Sequence, residues 1–514
     1  MAGTAEFVLG IDCGTQSLRS AVFDLAGRPI AQASQDFETA FPQVSWAEQD
    51  PNDWLDAMVN TVRACLAKAG LGGSDIGGIA VDATACTPVA VDSAGMPLRP
   101  ALLWMDQRAH REAQQVTATD HPILKYVGGS ASPEWGIPKT LWLKRNEPDT
   151  YRAAARIVDC VDWLTFQLTG QWVASLCNVT CKWNYARPDG GFSDELLSAV
   201  GLPDWREKWI QDVRPVGDLA GELTLAAAER LGLRAGTPVG VGGIDAYMGM
   251  IGLNVVEPGR MALVMGSSTC HMGLCADGVF GSGAWGPYPD ALTLGTWVLE
   301  GGQTSTGSVV KWFADSFCGA QRAQAEAEGR SVYTLLDESA AAVPVGCEGV
   351  ICIDHFQGNR TPLRDPLARG AFWGLGLRHG PGHLLRAIYE GTAFGTRHIL
   401  EDMRQAGYAP NEIYACGGGA KSALWLQIHA DACGLPITLT EVQEAAVLGS
   451  AILGAVAGGL FPSIPAAAAN MVRATDRVMP DPSARVEYDF NFDKYVRTYP
   501  CLKDLMHEVA GHGG

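Results

Sequence analysis

The sequence predicts an α/β protein made of two related lobes. Its 514 residues are enough for two or more domains with a large core. Each half contains two short apolar runs joined by a small, hydroxyl-rich turn, at residues 14–17 and 266–269. Such runs with a Gly-containing connection are typical of β-hairpins. Because one hairpin of this kind occurs in each half, we expect two related domains that close on one ligand.

The first hairpin lies within residues 7–24, FVLGIDCGTQSLRSAVFD. Gly14 lets the backbone approach a ligand closely. Hydroxyl, amide and backbone N–H donors follow in the turn, from Thr15, Gln16 and Ser17. Because Asp12 stands just before these donors, the turn suits a phosphate chain that carries a divalent metal, with Asp12 facing the metal or its waters. An ordinary hairpin with a polar turn explains the same residues equally well.

Composition excludes several classes of protein. The chain carries 38 Lys and Arg against 56 Asp and Glu, a formal net charge of −18 at pH 7. An acidic surface disfavours nucleic acid and anionic membranes as partners. No basic N-terminal segment precedes an apolar run, and no run of about 18 apolar residues occurs, so we expect neither a signal peptide nor a membrane span. The 14 cysteines, without a Cys-x-x-Cys, predict a reduced, cytoplasmic protein.

Local patterns predict the next elements of the first half. Residues 28–37 read as a third strand, and a helix follows with Asn52 as its N-cap. The buried face of that helix is formed by Trp54, Met58, Val62 and Leu66. Residues 78–81 form a short buried strand that ends in Asp82, and residues 161–170 form an amphipathic helix closed by Gly.

Two pairs of residues are candidates to bind a sugar or polyol. Asp106 and Arg108 follow a predicted strand and could grip a polyol, although a surface ion pair explains them as well. Glu134 and Trp135 stand in a Gly-rich loop just before a helix. Trp offers an apolar face and the carboxylate accepts hydroxyls, but Trp135 fits equally as a core residue.

Lys182 and Asp245 are two further candidates. Lys182 lies in residues 177–185, which we expect to be irregular, and a solvated lysine is the simpler interpretation of it. Asp245 follows a Gly-Gly pair at the end of the strand at 239–241 and begins a helix. An Asp there is usually a cap worth about 1 kcal/mol, but it is also well placed to act as a base.

The second half repeats the pattern. The strand at 260–265 leads into the turn that contains Ser267 and Ser268, and a second strand follows at 270–274. Glu300 is predicted at the end of a later strand, before two glycines. Arg360 lies in the turn QGNRT.

The last third of the chain contains a Gly-rich turn and three helices. The turn ACGGGA, at residues 415–420, joins a strand to a helix at 422–432 and could seat an adenosine and its α-phosphate. The small-residue helix within 441–459 is expected to pack tightly against it. Residues 493–509 are predicted as a helical tail, broken or kinked at Pro500.

Taken together, these motifs resemble the FGGY carbohydrate kinases of the actin/Hsp70/sugar-kinase superfamily, over essentially the whole chain. The most specific segment is GAFWGLGLRHGPGHLLRAIYE at residues 370–390. The resemblance implies a two-lobed, ribonuclease H-like fold with a duplicated domain. Its parts would be an N-terminal FGGY domain at 1–250, a C-terminal FGGY domain at 251–485 and a helical tail at 486–514. Residues 133–143 depart from the N-terminal signature, which leaves the sugar side less defined.

Within the family the chain is most similar to ribulokinases. YVGGSASPEWGIPK, MGSSTCHMGL, EGGQTSTG and DHFQGNRTPLRDP carry this likeness, whereas WMDQRA has the general family form. The resemblance implies ATP and Mg²⁺ as cofactors and a ketopentose as the substrate, most simply ribulose converted to ribulose 5-phosphate. Xylulose, a pentitol or an erythritol-like tetritol are alternatives, and the sequence leaves the enantiomer and the pathway open.

The resemblance also assigns roles to residues. Asp245 is the general base, and Asp12 holds Mg²⁺ through water. The β- and γ-phosphates would be bound by Thr15, Gln16, Ser17, Ser267 and Ser268. The adenosine and α-phosphate would be bound by Gly418, Gly419 and Ala420. The sugar would be bound by Trp135, Lys182, Asp245 and Glu300, with Asp106 or Arg108 as possible additional contacts.

Two other classes of protein fit the fold but not the motifs. A sugar-binding regulator that no longer transfers phosphate would have lost Asp245 or the phosphate turns, and both are intact. A chaperone-like or actin-like ATPase would not explain Trp135, Lys182 and Glu300 together. The expected partner is therefore a small sugar or polyol, and a homodimer is compatible with the sequence.

Overall fold

Strands and helices alternate along the chain as the sequence predicts. The computed structural model describes residues 6–281 and 283–512. The strands are β1 Phe7–Cys13, β2 Ser17–Asp24, β3 Pro29–Asp36, β4 Glu48–Gln49, β5 Ile76–Ala83, β6 Pro88–Val91, β7 Ala101–Leu102, β8 Arg156–Asp159, β9 Ala174–Ser175, β10 Val213–Arg214, β11 Leu219–Glu222, β12 Pro238–Gly240, β13 Arg260–Met265, β14 Thr269–Cys275, β15 Trp285–Pro289, β16 Trp297–Gln303, β17 Ile351–Ile353, β18 Ala371–Trp373, β19 Glu412–Cys416, β20 Ile437–Thr440 and β21 Ala474–Val478.

The α-helices complete the set of elements. They are α1 Pro51–Ala69, α2 His110–Thr117, α3 Gly136–Asn146, α4 Pro148–Ala153, α5 Cys160–Thr169, α6 Leu176–Lys182, α7 Asp194–Val200, α8 Trp205–Lys208, α9 Leu225–Leu231, α10 Asp245–Gly252, α11 Gly307–Phe317, α12 Gly319–Glu328, α13 Val332–Ala341, α14 Pro381–Gln405, α15 Ala423–Cys433, α16 Ala445–Ala457, α17 Ile464–Met471 and α18 Arg485–His512.

Two large sheets share one topology. In the first sheet, antiparallel strands β3, β2 and β1 are followed by β5 and β12, which run parallel to β1, and by β11 at the edge. In the second sheet, β16, β14 and β13 are antiparallel, and β19 and β20 run parallel to β13. The repeated order confirms the two-lobed α/β fold with a duplicated domain. It also brings the carboxyl ends of the parallel strands to one edge of each sheet, where ligands bind in open α/β sheets.

A helix from the second half covers the first sheet. The close approach of α16 to β1 and β5 is possible because glycines face it: a Cβ built on Gly10 would lie 2.0 Å from the Val447 carbonyl oxygen, and one on Gly78 would lie 1.9 Å from that of Gly454. We expected this helix to pack against the Gly-rich turn at 415–420, whereas its main partners are α10, β5 and β1. The predicted domain boundaries remain a prediction.

The two lobes also share a hydrophobic core at the base of the cleft. Met272, Leu274 and Val298 of the second sheet are fully buried in the same cluster as the core of the first lobe. The floor of the cleft is therefore a packed interior, and the strand ends above it are held at fixed separations.

Four local predictions differ from the structure. Asp50, and not Asn52, caps α1, because Pro51 occupies the first helical position and the Asp50 carboxylate accepts the Asn52 N–H at 2.9 Å. The segment expected to be irregular contains α6, whose residues from 176 to 181 are all buried, so packing determines its conformation. Glu300 lies in the middle of β16.

The predicted break in the tail is also wrong, because α18 continues through Pro500, while a kink at that residue stays a prediction. Its buried tyrosines Tyr495 and Tyr499 donate to Asp354 and Asp365 at 2.6 and 2.5 Å. Hydrogen bonds to carboxylates contribute about 1.5–3 kcal/mol each. These contacts, together with the buried aromatic rings, offset the backbone hydrogen bond that Pro500 cannot make.

No helix within residues 6–281 and 283–512 is long and apolar enough to cross a membrane. All 14 cysteines are free thiols, and Cys501 is the exposed one.

Gly10→Ala should lower the free energy of unfolding by about 2 kcal/mol, because its methyl group would meet the backbone of α16 and force it outward. Urea unfolding followed by circular dichroism measures the change. Gly249→Ala is the matched control, since a Cβ there meets nothing within 4 Å and Ala favours the helix. Equal stabilities for the two variants would contradict the close packing of α16.

Candidate active site

Three carboxylates meet where the strands of the first lobe end. Asp12 and Asp82 are register partners on the parallel strands β1 and β5, and Asp245 begins α10 directly after the next strand. The Asp82 Oδ2 accepts the Ser450 hydroxyl at 2.6 Å, and the Asp12 Oδ2 accepts from Arg19 Nη1 at 3.2 Å. The Oδ1 atoms of Asp12 and Asp82 are buried and accept no hydrogen bond within the described chain.

Burial and mutual repulsion change the acidity of this cluster. Burial, and next the negative charge of Asp12, raise the pKa of Asp245 to about 7, although its Oδ1 accepts the Ala246 N–H at 2.6 Å. Burial also raises the pKa of Asp12, and it raises that of Asp82 well above the ordinary value. A divalent cation would relieve this repulsion. The unpaired Asp12 Oδ1 is a hard oxygen donor of the kind that Mg²⁺ prefers, so the residues fit that metal.

The first hydroxyl-rich turn is held in place from outside. The Gly14 N–H donates to the Ser17 carbonyl at 3.1 Å and closes the turn. The Thr15 hydroxyl accepts from Trp104 Nε1 at 2.9 Å, and the Thr15 carbonyl accepts from Gln49 Nε2 at 2.7 Å. Gln16 is exposed at the tip, so its donors are available to a ligand.

The second turn has a similar construction. The Gly266 N–H donates to the Ser268 carbonyl at 2.9 Å. The Ser267 carbonyl accepts the N–H groups of Thr306 and Ser308 at 2.9 and 3.0 Å, which joins the turn to the start of α11. The Ser267 side chain itself is exposed.

The Gly-rich turn after β19 approaches the second sheet closely. Gly417 has a φ of 95°, and a Cβ there would lie 2.6 Å from the Met265 carbonyl oxygen, so only glycine fits. Residues Gly418–Lys421 form a short 3-10 turn, and Ser422 caps α15 by accepting the Trp425 N–H at 3.1 Å. The predicted adenosine contacts Gly418, Gly419 and Ala420 therefore lie together at a strand end.

A partly buried ion pair joins the two lobes beside Asp245. Lys182 Nζ of α6 lies 3.2 Å from Glu300 Oε2 of β16, and the Tyr247 hydroxyl donates to the same oxygen at 3.1 Å. Burial works to lower the pKa of Lys182, but its neighbours, Glu300 first among them, together outweigh burial and the pKa is raised. Burial works to raise the pKa of Glu300, but Lys182, followed by Arg360, lowers it. Both groups are thus charged in the folded protein.

The predicted sugar-side tryptophan also lies at the junction of the lobes. Trp135 is 2% exposed and packs edge-on against Trp285 of the second lobe, with ring centroids 5.6 Å apart. The neighbouring Glu134 accepts from Gln107 Nε2 at 3.3 Å, and its charge acts on Lys182. The structure brings this loop to the Lys182–Glu300 pair.

Asp106 and Arg108 form part of a buried network. Arg108 donates to both oxygens of Asp106 at 2.9 and 2.8 Å and lies 2.7 Å from Glu48. Its guanidinium stacks on the Trp46 ring at 3.7 Å, and the Ala47 N–H donates to Asp106 at 2.6 Å. The pair is neither on the surface nor open to a polyol, so the prediction that it binds sugar has no support here.

A second group of possible metal ligands lies outside the carboxylate cluster. Glu348, His379 and His383 bring ligand atoms together. However, both imidazoles accept a backbone N–H at Nδ1, from Gly376 at 2.9 Å and Gly380 at 3.2 Å. A metal-bound His normally donates from its second nitrogen. We therefore interpret this cluster as a hydrogen-bonded one.

Sequence reasoning did not assign a role to four residues of the cleft. They are Arg19, Asp82, Tyr247 and Arg360. Asp82 had a signal, because it is a second acid at the end of a buried strand. Arg360 also had a signal, because it lies in the turn QGNRT of a ribulokinase-like segment. Tyr247 had none, because its contact with Glu300 depends on how the two lobes meet.

The duplicated fold, the paired hydroxyl-rich turns and the carboxylates between them define a two-lobed phosphotransferase. Comparison with known proteins identifies the family. The models of the N- and C-terminal domains of the FGGY family of carbohydrate kinases match residues 7–252 and 261–458. The chain belongs to the FGGY family of carbohydrate kinases, which use ATP to phosphorylate a sugar hydroxyl.

Individual relatives match nearly the whole chain. An FGGY carbohydrate kinase domain-containing protein of Xenopus laevis is 34% identical over 540 residues, covering 98% of both chains. A ribulokinase of Anoxybacillus flavithermus is 32% identical over 551 residues, covering 99% of this chain and 95% of the relative. The crystal structure of xylulose kinase from Rhodospirillum rubrum superposes with a TM-score of 0.87 at 26% identity, covering 98% of this chain and 100% of the other.

Asp12→Asn should lower the pKa of Asp245 from about 7 in the metal-free protein, because it removes the charge that, after burial, raises it most. The ¹³C carboxyl resonance of Asp245, assigned by its loss in Asp245→Asn, reports the titration. Asp149→Asn is the control, because that carboxylate is almost fully exposed. An unchanged pKa in Asp12→Asn would contradict the coupling of the two carboxylates.

Proposed function

We propose that this kinase phosphorylates a terminal hydroxyl of a ketopentose with Mg-ATP, and that ribulose is its substrate. The observation that carries the proposal is the charged pair of Lys182 and Glu300 beside Asp245, closed by Trp135. These residues match the ribulokinase motifs in the sequence. The ribulokinase relatives, at 32% identity over nearly the full chain, support the same substrate class.

Asp245 is the proposed general base. It takes the proton from the sugar hydroxyl, whose oxygen then attacks the γ-phosphorus of ATP in line. A pKa of about 7 suits this task, because the carboxylate is present at neutral pH and is a better proton acceptor than an ordinary Asp. Its position at the start of α10, on a strand end that packs into the core, fixes the direction of attack.

The phosphate chain is proposed to lie between the two hydroxyl-rich turns. Gln16, with Thr15 and Ser17, faces it from the first lobe, and Ser267 with Ser268 faces it from the second. Asp12 would hold Mg²⁺ through water, and this cation supplies neutralisation of phosphate charge. The turns remain in place because Trp104 and Thr306 anchor their backbones and hydroxyls.

The sugar hydroxyls are proposed to bind the charged pair. Lys182 donates to a hydroxyl or the carbonyl of the open-chain ketose, and Glu300 accepts from hydroxyls. Because both groups are only partly exposed, a sugar that cannot pair with them leaves a charge poorly satisfied, which discriminates between substrates. Xylulose, a pentitol and a tetritol remain alternatives, and the superposed xylulose kinase favours the first of these.

The cellular location and the assembly are also proposals. A cytoplasmic location is supported by the 14 free thiols, of which Cys501 alone is exposed, because buried thiols without disulfides are typical of a reducing compartment. A homodimer is compatible with the sequence.

Release of ADP should be fast with Mg-ATP and one ribulose enantiomer, and slow with the other sugars. The coupled assay covers D- and L-ribulose, D- and L-xylulose, ribitol, erythritol and glycerol. Asp245→Asn is the negative control: it should abolish turnover while sugar and ATP still bind. Preference for xylulose or a tetritol would overturn the substrate, and activity of Asp245→Asn within a few-fold of the wild type would overturn the base.

Glu300→Gln should raise the KM for the sugar about tenfold or more, with little change in the KM for ATP, because a charged acceptor of sugar hydroxyls is lost. Steady-state kinetics with each substrate varied in turn measures both constants. Glu412→Gln provides a control in the same sheet, since that carboxylate contacts Arg477 and Thr438 instead. An unchanged KM for the sugar in Glu300→Gln would remove Glu300 from the sugar site.

A further inference from the structure

Arg360 lies between the proposed sugar contacts and the second phosphate turn. Glu300 and Gly302 share one face of β16, and they pair with Met272 and Cys270 of β14. Met272 is packed in the same hydrophobic cluster as the core of the first lobe, so this face of β16 is directed towards the first lobe. A Cβ built on Gly302 would lie 3.3 Å from Arg360 Cδ and 3.6 Å from its Nη1, so the arginine side chain crosses the sheet at Gly302.

Gly302, which Arg360 crosses, is close along the strands to both Glu300 and the second phosphate turn. Cys270, which pairs with Gly302, follows Ser268 by two residues, and Glu300 precedes Gly302 by two. The positive charge of Arg360 lowers the pKa of Glu300 and opposes the burial that raises the pKa of Cys270. The charge of Asp245 also raises the pKa of the Cys270 thiol, and the charge of Lys182 lowers it. The charges of Arg360, Asp245 and Lys182 therefore all act at this part of the second sheet.

The guanidinium of Arg360 is free to bind a ligand. It is partly buried, and within residues 6–281 and 283–512 it makes no hydrogen bond or ion pair. The other cations nearby are engaged: Lys182 with Glu300, and Arg19 with Asp12 and Glu444. Of Lys182, Arg19 and Arg360, only Arg360 has a cationic group that makes no hydrogen bond or ion pair within the described residues.

The loop that carries Arg360 is held rigidly. The Gly302 N–H donates to Thr361 Oγ1 at 3.3 Å, and Thr304 Oγ1 donates to the Gly358 carbonyl at 2.9 Å. Asn359 and Asp365 exchange two backbone hydrogen bonds at 2.8 and 2.9 Å.

The C-terminal helix anchors the same loop from the other side. The Asp365 carboxylate contacts the Tyr499 hydroxyl at 2.5 Å and His507 Nε2 at 2.7 Å, both from α18. A side chain on such a loop is positioned before the ligand arrives, which is what electrostatic stabilisation of a transition state requires.

We propose that Arg360 binds the oxygens of the γ-phosphoryl group and stabilises it during transfer. The inference rests on the proposed reaction, in which the bond from the γ-phosphorus to the ADP oxygen breaks, a bond to the sugar oxygen forms, and the sugar proton passes to Asp245. A planar guanidinium can bind two phosphoryl oxygens at once. Its positive charge also offsets part of the negative charge of the phosphoryl group.

The kinetic test uses substitutions of Arg360. Arg360→Ala should lower kcat about 100-fold or more and leave the KM for the sugar within about threefold, because the lost contact is to the phosphoryl group. Arg360→Lys should recover only part of the rate, since a lysine keeps the charge but not the paired donors. Arg369→Ala, an exposed arginine farther along the same loop, should match the wild type. A kcat within threefold of the wild type in Arg360→Ala would overturn the inference, as would a change confined to the KM for the sugar.

A second measurement needs no sugar. Isothermal titration calorimetry compares the affinity for AMP-PNP with that for ADP, both with Mg²⁺. The wild type should bind AMP-PNP more tightly than Arg360→Ala does, by about tenfold, while ADP binds both equally. If the wild type phosphorylates no sugar in the panel but this difference in nucleotide affinity is seen, the proposed substrates are wrong and the proposed contact of Arg360 with the γ-phosphoryl group is supported. Equal loss of both nucleotides would indicate a general effect on the nucleotide site and would overturn the role of Arg360.

Discussion

The contact between α16 and the first sheet is the constraint on which the site depends. Backbones approach closely there because Gly10 and Gly78 have no side chains to keep the helix away. The same contact places the Ser450 hydroxyl on Asp82, 368 residues away in sequence, and Glu444 beside Arg19. The carboxylate cluster of the first lobe is therefore completed by the second half of the chain. Neither half alone contains all the groups that determine its acidity.

The cost of this arrangement is electrostatic. Asp12 and Asp82 are buried and Asp245 is partly buried. The charge of Asp12 raises the pKa of both neighbours, and the Oδ1 atoms of Asp12 and Asp82 accept no hydrogen bond in the described chain. Burying charges without partners destabilises a fold. In the proposed reaction the same positions hold a cation and a base whose pKa lies near neutrality, which is a functional reason for the cost. The large core shared by the lobes offsets the cost and keeps the carboxylates from moving apart.

Local patterns predicted what local interactions determine. The two hairpins, the strand before Asp245 and the Gly-rich turn all follow from short-range periodicity and turn chemistry, and they are where the sequence places them. The cap of α1 was missed for a local reason, the Pro51 that follows Asp50, and the other errors arise from tertiary contact. Asp106 and Arg108 looked like a surface pair because nothing nearby in sequence announces the stacking on Trp46. Burial made α6 a helix, and docking kept α18 continuous through Pro500.

The two ends of the cleft meet different physical demands. On the sugar side the lobes touch directly: Trp135 packs on Trp285, and Arg364 donates to the Gly128 carbonyl at 2.9 Å. On the phosphate side Gln16 and Ser267 are exposed at the tips of their turns. Recognition of hydroxyls gains from a site without water, because each unpaired group there is costly. An open site on the phosphate side allows the nucleotide to leave as ADP after every turnover. The asymmetry of the cleft thus follows from which substrate must be selected and which must be exchanged.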